Sequence, residues 1–290
     1  MDGVDLAVAP GEIFGIVGAD GAGKSTLLRL LTGQLAPSAG TVQVLGRPAG
    51  DPWVRERVAY MPQSFGQYPD LSVRENLRFY AALHGLRGAA AATLVADLTA
   101  RAGLRGFEDR RAGQLSGGMM QKLALACALV THPRAMFLDE PTTGVDPVSR
   151  RAFWQLLEGV RAEGVAIVCA TANMQEAERC DRMAVMEQGR FVHGGRATEL
   201  IAAVRSRLYA TSGDDARALV PQLRQRPEVE LAFPVGRQAR VWLRPDADPL
   251  PLERALALAG HPLKLTPVVA GLHDVTLREL ALQQREAAHA

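Results

Sequence analysis

The first two hundred residues alternate between short apolar runs and amphipathic stretches. Residues 13–17 and 135–138 are apolar throughout, which is typical of strands in the buried middle of a parallel sheet. Between these runs, Ser72 and Glu75 fit a capping box ahead of apolar positions at helical spacing, and an alanine-rich run over 89–102 predicts another helix. The pattern predicts an α/β fold with a mostly parallel sheet and a helical subdomain over about residues 68–130.

The pattern changes near residue 204, where a helix over 198–204 is predicted to close the first domain. Strands are then predicted at 208–211, 229–233, 238–243 and 263–268, and helices at 216–225, 250–259 and 273–283. The order βαββαβ with an extra helix predicts a small α+β appendage of the ferredoxin-like kind. We therefore expect two domains, residues 1–204 and 205–290, and no constellation in the second indicates chemistry.

The composition bears on possible partners, on membrane crossing and on the redox state of the cysteines. The chain has 290 residues and a net charge of only +2, and its C-terminal arginines are scattered, so we expect no nucleic-acid partner. We find no signal peptide and no apolar run of about eighteen residues, so the chain is not expected to cross a membrane itself. Cys127, Cys169 and Cys180 are odd in number and lack metal spacing, which predicts reduced core cysteines in a cytosolic protein.

A phosphate-binding loop follows the first apolar run. Residues 18–26 fit G-x-x-x-x-G-K-[ST] between a predicted strand and a helix, where backbone N–H groups and the helix dipole attract anions. Lys24 is predicted to reach the β- and γ-phosphates, Ser25 to ligate Mg²⁺, and Thr26 to contact the α-phosphate side. A glycine-rich turn that binds nothing is the alternative. The candidate nucleotide-binding residues are Gly18, Asp20, Gly21, Ala22, Gly23, Lys24, Ser25 and Thr26.

Two acidic residues end the second apolar run. Because side chains alternate along a strand, Asp139 and Glu140 leave the sheet in different directions and can hold different roles. Asp139 is predicted to hold Mg²⁺, and Glu140 to orient or deprotonate the attacking water. A solvated strand end is the alternative for the pair taken alone, and the upstream phosphate loop favours the catalytic interpretation.

A second candidate anion site lies at residues 115–121. Ser116, Gly117 and Gly118 precede a helical stretch, and a helix start presents free N–H groups. One nucleotide does not need two such sites from one chain, so a site shared between two chains is the natural explanation. A plain N-cap with a glycine turn is the alternative.

In this order the motifs resemble the nucleotide-binding domain of ABC transporters over about the first two hundred residues. The resemblance rests on the phosphate loop at 18–26, Gln63 as the Q-loop, the signature at 115–121, the Asp139-Glu140 pair, and Gly144-Val145-Asp146 as the D-loop. Residues 71–77, 141–147 and 174–178 make the chain most similar to ATP-binding subunits of ABC-2 type exporters. This resemblance implies a P-loop NTPase core of the ABC type that uses ATP and Mg²⁺ at the cytoplasmic face of the cell membrane.

The resemblance also implies partners and residue roles. ATP would join two nucleotide-binding domains head to tail, with Ser116 and Gly118 of one facing the phosphate loop of the other, and Asp146 would also contact the nucleotide. The second domain is expected to belong to a different chain, and a homodimer is the alternative. Transmembrane permease subunits are expected to complete the assembly. The implied catalytic residues are Glu140, Gln63 and Lys24, and the implied Mg²⁺ ligands are Ser25, Gln63 and Asp139.

Two departures from the family pattern bear on activity. Ala172 occupies the position of the switch histidine, and losing such a hydrogen-bond donor costs on the order of 2.7–4 kcal/mol, roughly a hundred- to thousandfold in rate. Slow hydrolysis is therefore expected. A similar Thr-Ala pair is a feature of some exporter ATPases with two fused nucleotide-binding domains, so the chain resembles one half of such a pair. The usual upstream segment, whose aromatic residue stacks on adenine, is not part of this sequence, and the alternatives are a start further upstream and a different way of holding the base. The alternatives are a regulatory ATP-binding module with little turnover and a non-transport ABC ATPase.

Overall fold

The computed structural model describes residues 1–64, 66–212 and 217–289, and the chain divides into two compact units. The first unit is Met1–Gly194 and the second is Gly195–Ala290. Among the described residues, no helix combines the length and the apolar character needed to span a membrane.

The first unit is built on a six-stranded sheet covered by helices. The strands of this unit are β1 Ile13–Val17, β2 Gln43–Val44, β3 Arg47–Pro48, β4 Val58–Met61, β5 Ala135–Asp139, β6 Ala166–Thr171, β7 Arg182–Glu187 and β8 Arg190–Gly195, of which β2 and β3 form a separate two-stranded sheet. Its helices are α1 Lys24–Leu31, α2 Pro52–Arg55, α3 Val73–Leu83, α4 Gly88–Arg101, α5 Gly117–Leu129, α6 Pro147–Ala162 and α7 Met174–Ala177, with a 3₁₀ turn at Ala112–Gln114.

The sheet order is β4-β5-β6-β1-β7-β8, and the pairs among its first five strands are all parallel. Met61 lies opposite Leu138, Asp139 opposite Ala170, and Val17 opposite Thr171. The carboxyl ends of β4, β5, β6 and β1 therefore meet at one edge, which is where ligands bind in sheets of this type. The predicted parallel sheet is confirmed.

Both faces of the sheet are buried, which explains why the sequence shows continuous apolar runs instead of alternation. Ile13, Met136 and Leu138 face a core shared with α3, α4, α5 and α6. Ile16 and Phe137 face the opposite core, which contains residues of α1.

The helical insertion begins where the sequence predicts. Ser72 accepts a hydrogen bond from the backbone N–H of Glu75, and the Glu75 carboxylate accepts one from the N–H of Ser72, so the capping box is complete. The two bonds satisfy N–H groups that a helix start leaves free. Helices α3, α4 and α5 then pack on one another.

The second unit contains a four-stranded antiparallel sheet in the order β10-β11-β9-β12. Its elements are α8 Ala197–Ala203, β9 Arg207–Ser212, α9 Val220–Leu223, β10 Val229–Val235, β11 Gln238–Leu243, α10 Pro249–Leu258, β12 Lys264–Pro267 and α11 Leu272–His289. One face of the sheet packs against α9 and α10 and the other against α8 and α11.

Two elements of the second unit differ from the sequence prediction. Helix α8, predicted to close the first domain at residue 204, packs against α11, so the units divide at Gly194 instead. The helix predicted over 216–225 is a single turn, Val220–Leu223, because Pro221 fits only the first turn of a helix. Its predicted first residue, Ala216, lies outside the described residues.

An ion pair attaches the last helix to the sheet of the second unit. Nε and Nη2 of Arg278 lie 2.7 and 2.8 Å from the two carboxylate oxygens of Glu230, and the guanidinium lies 5.7 Å from the ring of Trp242. Burial alone would raise the pKa of Glu230, but the hydrogen bonds from Arg278 and Ser206 lower it overall. We read this cluster as structural, because each charge has its partner.

Candidate active site

The loop between β1 and α1 has the backbone geometry that its glycines predict. Gly23 caps α1 with φ 111°, and Gly21 has φ 80°, a region that residues with a Cβ rarely adopt. A Cβ on Gly18 would lie 2.4 Å from the carbonyl oxygen of Met186. Glycine is therefore required at all three positions to shape the loop.

Lys24 points into this loop. Its Nζ atom donates to the carbonyl oxygens of Gly18 at 2.8 Å and Ala19 at 3.2 Å, and lies 3.2 Å from Oε1 of Glu140. The side chain of Lys24 is only 6% exposed. A buried ammonium group needs anionic or polar partners, and here one of them is the carboxylate predicted to act on water.

Glu140 is held on its other side by Thr143. The Thr143 hydroxyl donates to Oε2 of Glu140 at 2.9 Å. The backbone of Glu140 has φ 50°, a left-handed conformation that is uncommon for a residue with a side chain. Such strain persists only where surrounding contacts impose it, and it is typical of functional sites.

Asp139 is a better candidate for a cation ligand than Glu140, which already contacts Lys24. It is 2% exposed, and its Oδ2 atom accepts a hydrogen bond from the Tyr60 hydroxyl at 3.3 Å. Its Oδ1 atom is buried and has no hydrogen-bond partner among the described residues. A buried carboxylate oxygen without a donor is costly, and a hard cation with oxygen ligands would satisfy it.

Tyr60 is a site residue that the sequence analysis missed. Burial and the charge of Asp139 raise the pKa of its hydroxyl, which therefore stays protonated and donates to the carboxylate. In the sequence, nothing distinguishes Tyr60 from the other residues of the strand β4. Only the pairing of β4 with β5 brings it near Asp139.

The remaining predicted residues of this site lie at the same edge of the sheet. Ser25 is half-buried in the first turn of α1, and Thr26, Asp20 and Gln63 are exposed. Gln63 follows β4 by two residues, and because Met61 lies opposite Leu138, it leaves the sheet at the same edge as Asp139 and Glu140.

Ala172 lies just beyond β6, next to the same edge. The N–H of Glu140 donates to the carbonyl of Ala170 at 2.8 Å, which ties the ends of β5 and β6 together. Ala172 is exposed there, and its methyl group can neither donate nor accept a hydrogen bond.

The signature and the D-loop of this chain lie close together, since a Cβ on Gly118 would be 3.4 Å from Cγ1 of Val145. The Ser116 hydroxyl accepts from the N–H of Met119 at 3.3 Å and caps α5. Asp146 caps α6 by accepting from the N–H groups of Val148 and Ser149, at 3.0 and 2.9 Å. Hydrogen bonds from Ser149 lower the pKa of Asp146, so the capping carboxylate is charged. Within one chain, each motif therefore forms the start of a helix, the signature that of α5 and the D-loop that of α6.

Gly118 permits the close approach between α5 and α6, and we expect Gly118→Ala to destabilise the first unit. A Cβ at Gly118 would lie 2.2 Å from Cβ and 2.4 Å from Oγ of Ser149, whereas a Cβ at Gly117 meets only the Gly144 oxygen at 3.9 Å. Overpacking of this kind costs about 1–3 kcal/mol, measurable as a lower midpoint in urea unfolding.

Gly117→Ala is the matched control, since it adds the same methyl group in the same helical turn with space to receive it. We expect it to be neutral or stabilising. Equal losses of stability in the two variants would contradict the proposed clash, as would failure of Ser149→Gly to relieve Gly118→Ala.

Comparison with known proteins identifies the class. The ABC transporter family matches residues 1–143. The Escherichia coli strain K12 protein named "Probable multidrug ABC transporter ATP-binding protein YbhF" is 39% identical over 250 residues, which are 85% of this chain and 43% of that protein. The Nod factor export ATP-binding protein I of Paraburkholderia xenovorans is 43% identical over 70% of this chain and 68% of its own length. The Cupriavidus metallidurans protein of the same name is 36% identical over 99% and 94%.

Solved structures agree with this class. The chain is similar to cbiO1 from Clostridium perfringens, part of the ABC transporter complex cbiONQ, with a TM-score of 0.64 and 30% identity over 69% of this chain and 83% of that one. It is also similar to the ATP-binding cassette MJ0796, solved as a dimer in a post-hydrolysis state with ADP and phosphate, with a TM-score of 0.60 and 26% identity over 67% and 88%.

The chain belongs to the ATP-binding proteins of ABC transporters. It spans less than half the length of the YbhF relatives that it matches.

Proposed function

We propose that this chain powers an ABC-type membrane exporter by binding ATP, closing onto a second nucleotide-binding domain, and hydrolysing the ATP. The observation that carries the proposal is the buried Lys24–Glu140 pair, with Nζ and Oε1 3.2 Å apart, together with the preceding residue Asp139, whose buried Oδ1 has no hydrogen-bond partner among the described residues. Phosphoryl transfer requires a cation, a general base and a metal ligand, and Lys24, Glu140 and Asp139 can supply them near the end of β5.

The roles divide among the residues as follows. The backbone of the phosphate loop and Lys24 hold the phosphates, and Ser25 and Asp139 fit a Mg²⁺ ion, which would neutralise charge on the transferred group. Glu140 orients or deprotonates the attacking water, and Gln63 contacts the phosphate or the metal from the neighbouring strand end. These roles match the chemistry of the side chains and their common edge of the sheet.

When a phosphate enters the loop, it must replace the carboxylate of Glu140 as the anionic partner of Lys24. The ammonium group now contacts the carboxylate of Glu140, and an incoming phosphate offers it more negative charge. Glu140 then loses its cation while keeping the Thr143 hydroxyl as donor. Nucleotide binding thereby frees the carboxylate to receive a proton from water.

The hydrolytic site is proposed to be completed by a second domain, and in the purified protein a second copy of this chain can take that place. Ser116 and Gly118 would face the phosphate loop of the other domain, and Asp146 would lie at the same contact. Because Ala172 supplies no hydrogen bond, we propose that hydrolysis at this site is slow and that the second domain is a different chain that keeps its own histidine. The names of the relatives, a probable multidrug ABC transporter protein and a Nod factor export protein, support export as the process. We propose that the assembly lies on the inner face of the cell membrane, as the family resemblance implies.

A groove beside Gln63 is the proposed contact for a permease subunit. A cavity of about 190 Å³ lies between β4, α3 and α5, lined by residues that include Met61, Tyr80, His84 and Cys127. Met61, Pro62 and Ser64 line this cavity on either side of Gln63 in the sequence, so a partner seated there could sense the state of the nucleotide site.

We expect hydrolysis of ATP by the purified chain to require Mg²⁺ and Lys24. Chelation of Mg²⁺ should abolish phosphate release, and Lys24→Met should weaken ATP binding, because it removes the buried ammonium from the loop. Equilibrium binding of a fluorescent ATP analogue and phosphate release measure the two effects. Lys122→Met on α5 is the control, and tight ATP binding by Lys24→Met would reject the proposed phosphate contact.

A regulatory module that holds ATP with little turnover is the second candidate, and exposed Ala172 is the observation that favours it. The intact Glu140 with its buried contacts argues against it. Cleavage of bound ATP within a single turnover would distinguish the exporter ATPase from this module.

A further inference from the structure

A second buried carboxylate lies behind the turn that follows Glu140, and none of the roles above uses it. Glu176, on α7, is 3% exposed. Its carboxylate accepts a hydrogen bond from the hydroxyl of Thr142, a fully buried residue, and Oε1 lies 3.8 Å from Nε of Arg150. Burial of an acidic side chain is unfavourable unless its partners compensate, so the position of Glu176 calls for a function.

Arg150 extends this contact to the D-loop. Its Nη2 atom donates to the carbonyl oxygen of Val145 at 3.1 Å. Val145 lies next to Asp146, the residue that caps α6. A single arginine side chain therefore connects Glu176 with the backbone of the D-loop.

The same turn holds Glu140. Thr142 and Thr143 are consecutive, and their hydroxyls donate to Glu176 and Glu140, respectively. Burial is the main influence that raises the pKa of Glu176, and the nearby charge of Glu140 adds to it. The turn over residues 140–146 is thus held between two buried carboxylates, one in the nucleotide site and one behind it.

We propose that Glu176 is a positioning residue for ATP hydrolysis, which fixes the turn between Glu140 and Asp146 through Thr142 and Arg150. This inference rests on the proposed function of the site. One end of the turn carries the group that acts on water, and the other carries the segment that meets a second domain. A misplacement of about 1 Å in such a turn can cost on the order of 10²-fold in rate.

A purely structural Glu176 would behave differently in kinetics. Its replacement would lower the midpoint of unfolding, but the folded fraction would hydrolyse ATP with an unchanged kcat. A positioning residue lowers kcat while the KM for ATP stays the same, because Lys24 and the phosphate loop are untouched. The split between kcat and KM therefore separates the two roles.

The test compares Glu176→Gln and Glu176→Ala under single-turnover and steady-state conditions. Glutamine keeps the size and an acceptor for Thr142 but removes the charge near Arg150, whereas alanine removes both. We expect a fall in kcat of about tenfold for glutamine and up to about 10²-fold for alanine, with unchanged KM and unchanged affinity for ADP. The ADP affinity also shows that each variant is folded.

Arg150→Met completes a double-mutant cycle. If Glu176 acts on the D-loop through Arg150, the double variant Glu176→Gln with Arg150→Met should be no slower than the slower single variant. Arg151→Met, at an exposed position one residue further along α6, is the matched control and should keep the wild-type kcat.

Wild-type kcat in both Glu176 variants, with losses confined to thermal stability, would overturn the inference. Effects of Glu176 and Arg150 that simply multiply in the double variant would also overturn it. The proposed function is judged separately, on Mg²⁺-dependent hydrolysis by the wild-type chain that Glu140→Gln removes. If the wild-type chain does not hydrolyse ATP, the proposed function and this inference are both rejected.

Discussion

Replacing Glu140 by glutamine is expected to stop ATP turnover while leaving ATP bound. The amide has nearly the same shape but cannot take the proton of the attacking water, and general-base catalysis typically contributes roughly 10²–10⁴-fold in rate. Phosphate release from Glu140→Gln should therefore fall by that factor. Parallel measurement of phosphate release and ATP binding checks both parts of the expectation.

The Lys24 contact adds a second expectation for the same variant. The carboxylate of Glu140 lies 3.2 Å from Nζ of Lys24, where it competes with phosphate oxygens for that ammonium. Removing the charge removes the competitor, so Glu140→Gln should bind ATP at least as tightly as the wild type. Glu178→Gln, at an exposed position after α7, is the control for loss of one acidic group. Wild-type turnover in Glu140→Gln would refute the role assigned to this carboxylate.

Introducing a histidine at Ala172 is expected to raise the rate of hydrolysis. A hydrogen-bond donor aimed at charge that develops in the transition state is worth roughly 10²–10³-fold, which sets the upper limit of the gain. The imidazole can be accommodated because position 172 is exposed, directly after β6 and next to the end of β5. We expect at least a tenfold rise in kcat for Ala172→His, measured as phosphate release at saturating ATP.

Ala172→Leu is the matched control, because it adds bulk at the same position without a hydrogen-bond donor. It should leave the slow wild-type rate unchanged or lower it. An equal rise in both variants would mean that bulk, and not a hydrogen bond, is limiting. Rapid hydrolysis by the wild-type chain, unchanged in Ala172→His, would show that another group already supplies the contact.

Local sequence signals predicted the parallel sheet and the geometry of the phosphate loop. Buried strands covered on both faces must be apolar at every position, so the runs that became β1 and β5 were informative by themselves. The capping box at Ser72 and the left-handed glycines at 21 and 23 are likewise set by residues that are close in sequence.

Contacts between distant residues could not be predicted in this way. Tyr60 meets Asp139 only because β4 pairs with β5, and the buried Glu176 had no sequence signal apart from family resemblance. The clash that forbids a side chain at Gly118 depends on the packing of α5 against α6. Helix α8 was assigned to the wrong unit because its apolar positions do not reveal which core they join.

The central claim is that this chain supplies the catalytic residues of a slow hydrolytic site, and single-turnover hydrolysis tests it most directly. Radiolabelled ATP would be incubated with an excess of the purified wild-type chain and Mg²⁺, and the conversion of bound ATP to ADP followed with time. The account predicts slow, complete conversion that Glu140→Gln prevents. ATP that stays bound and uncleaved by the wild-type chain would contradict it.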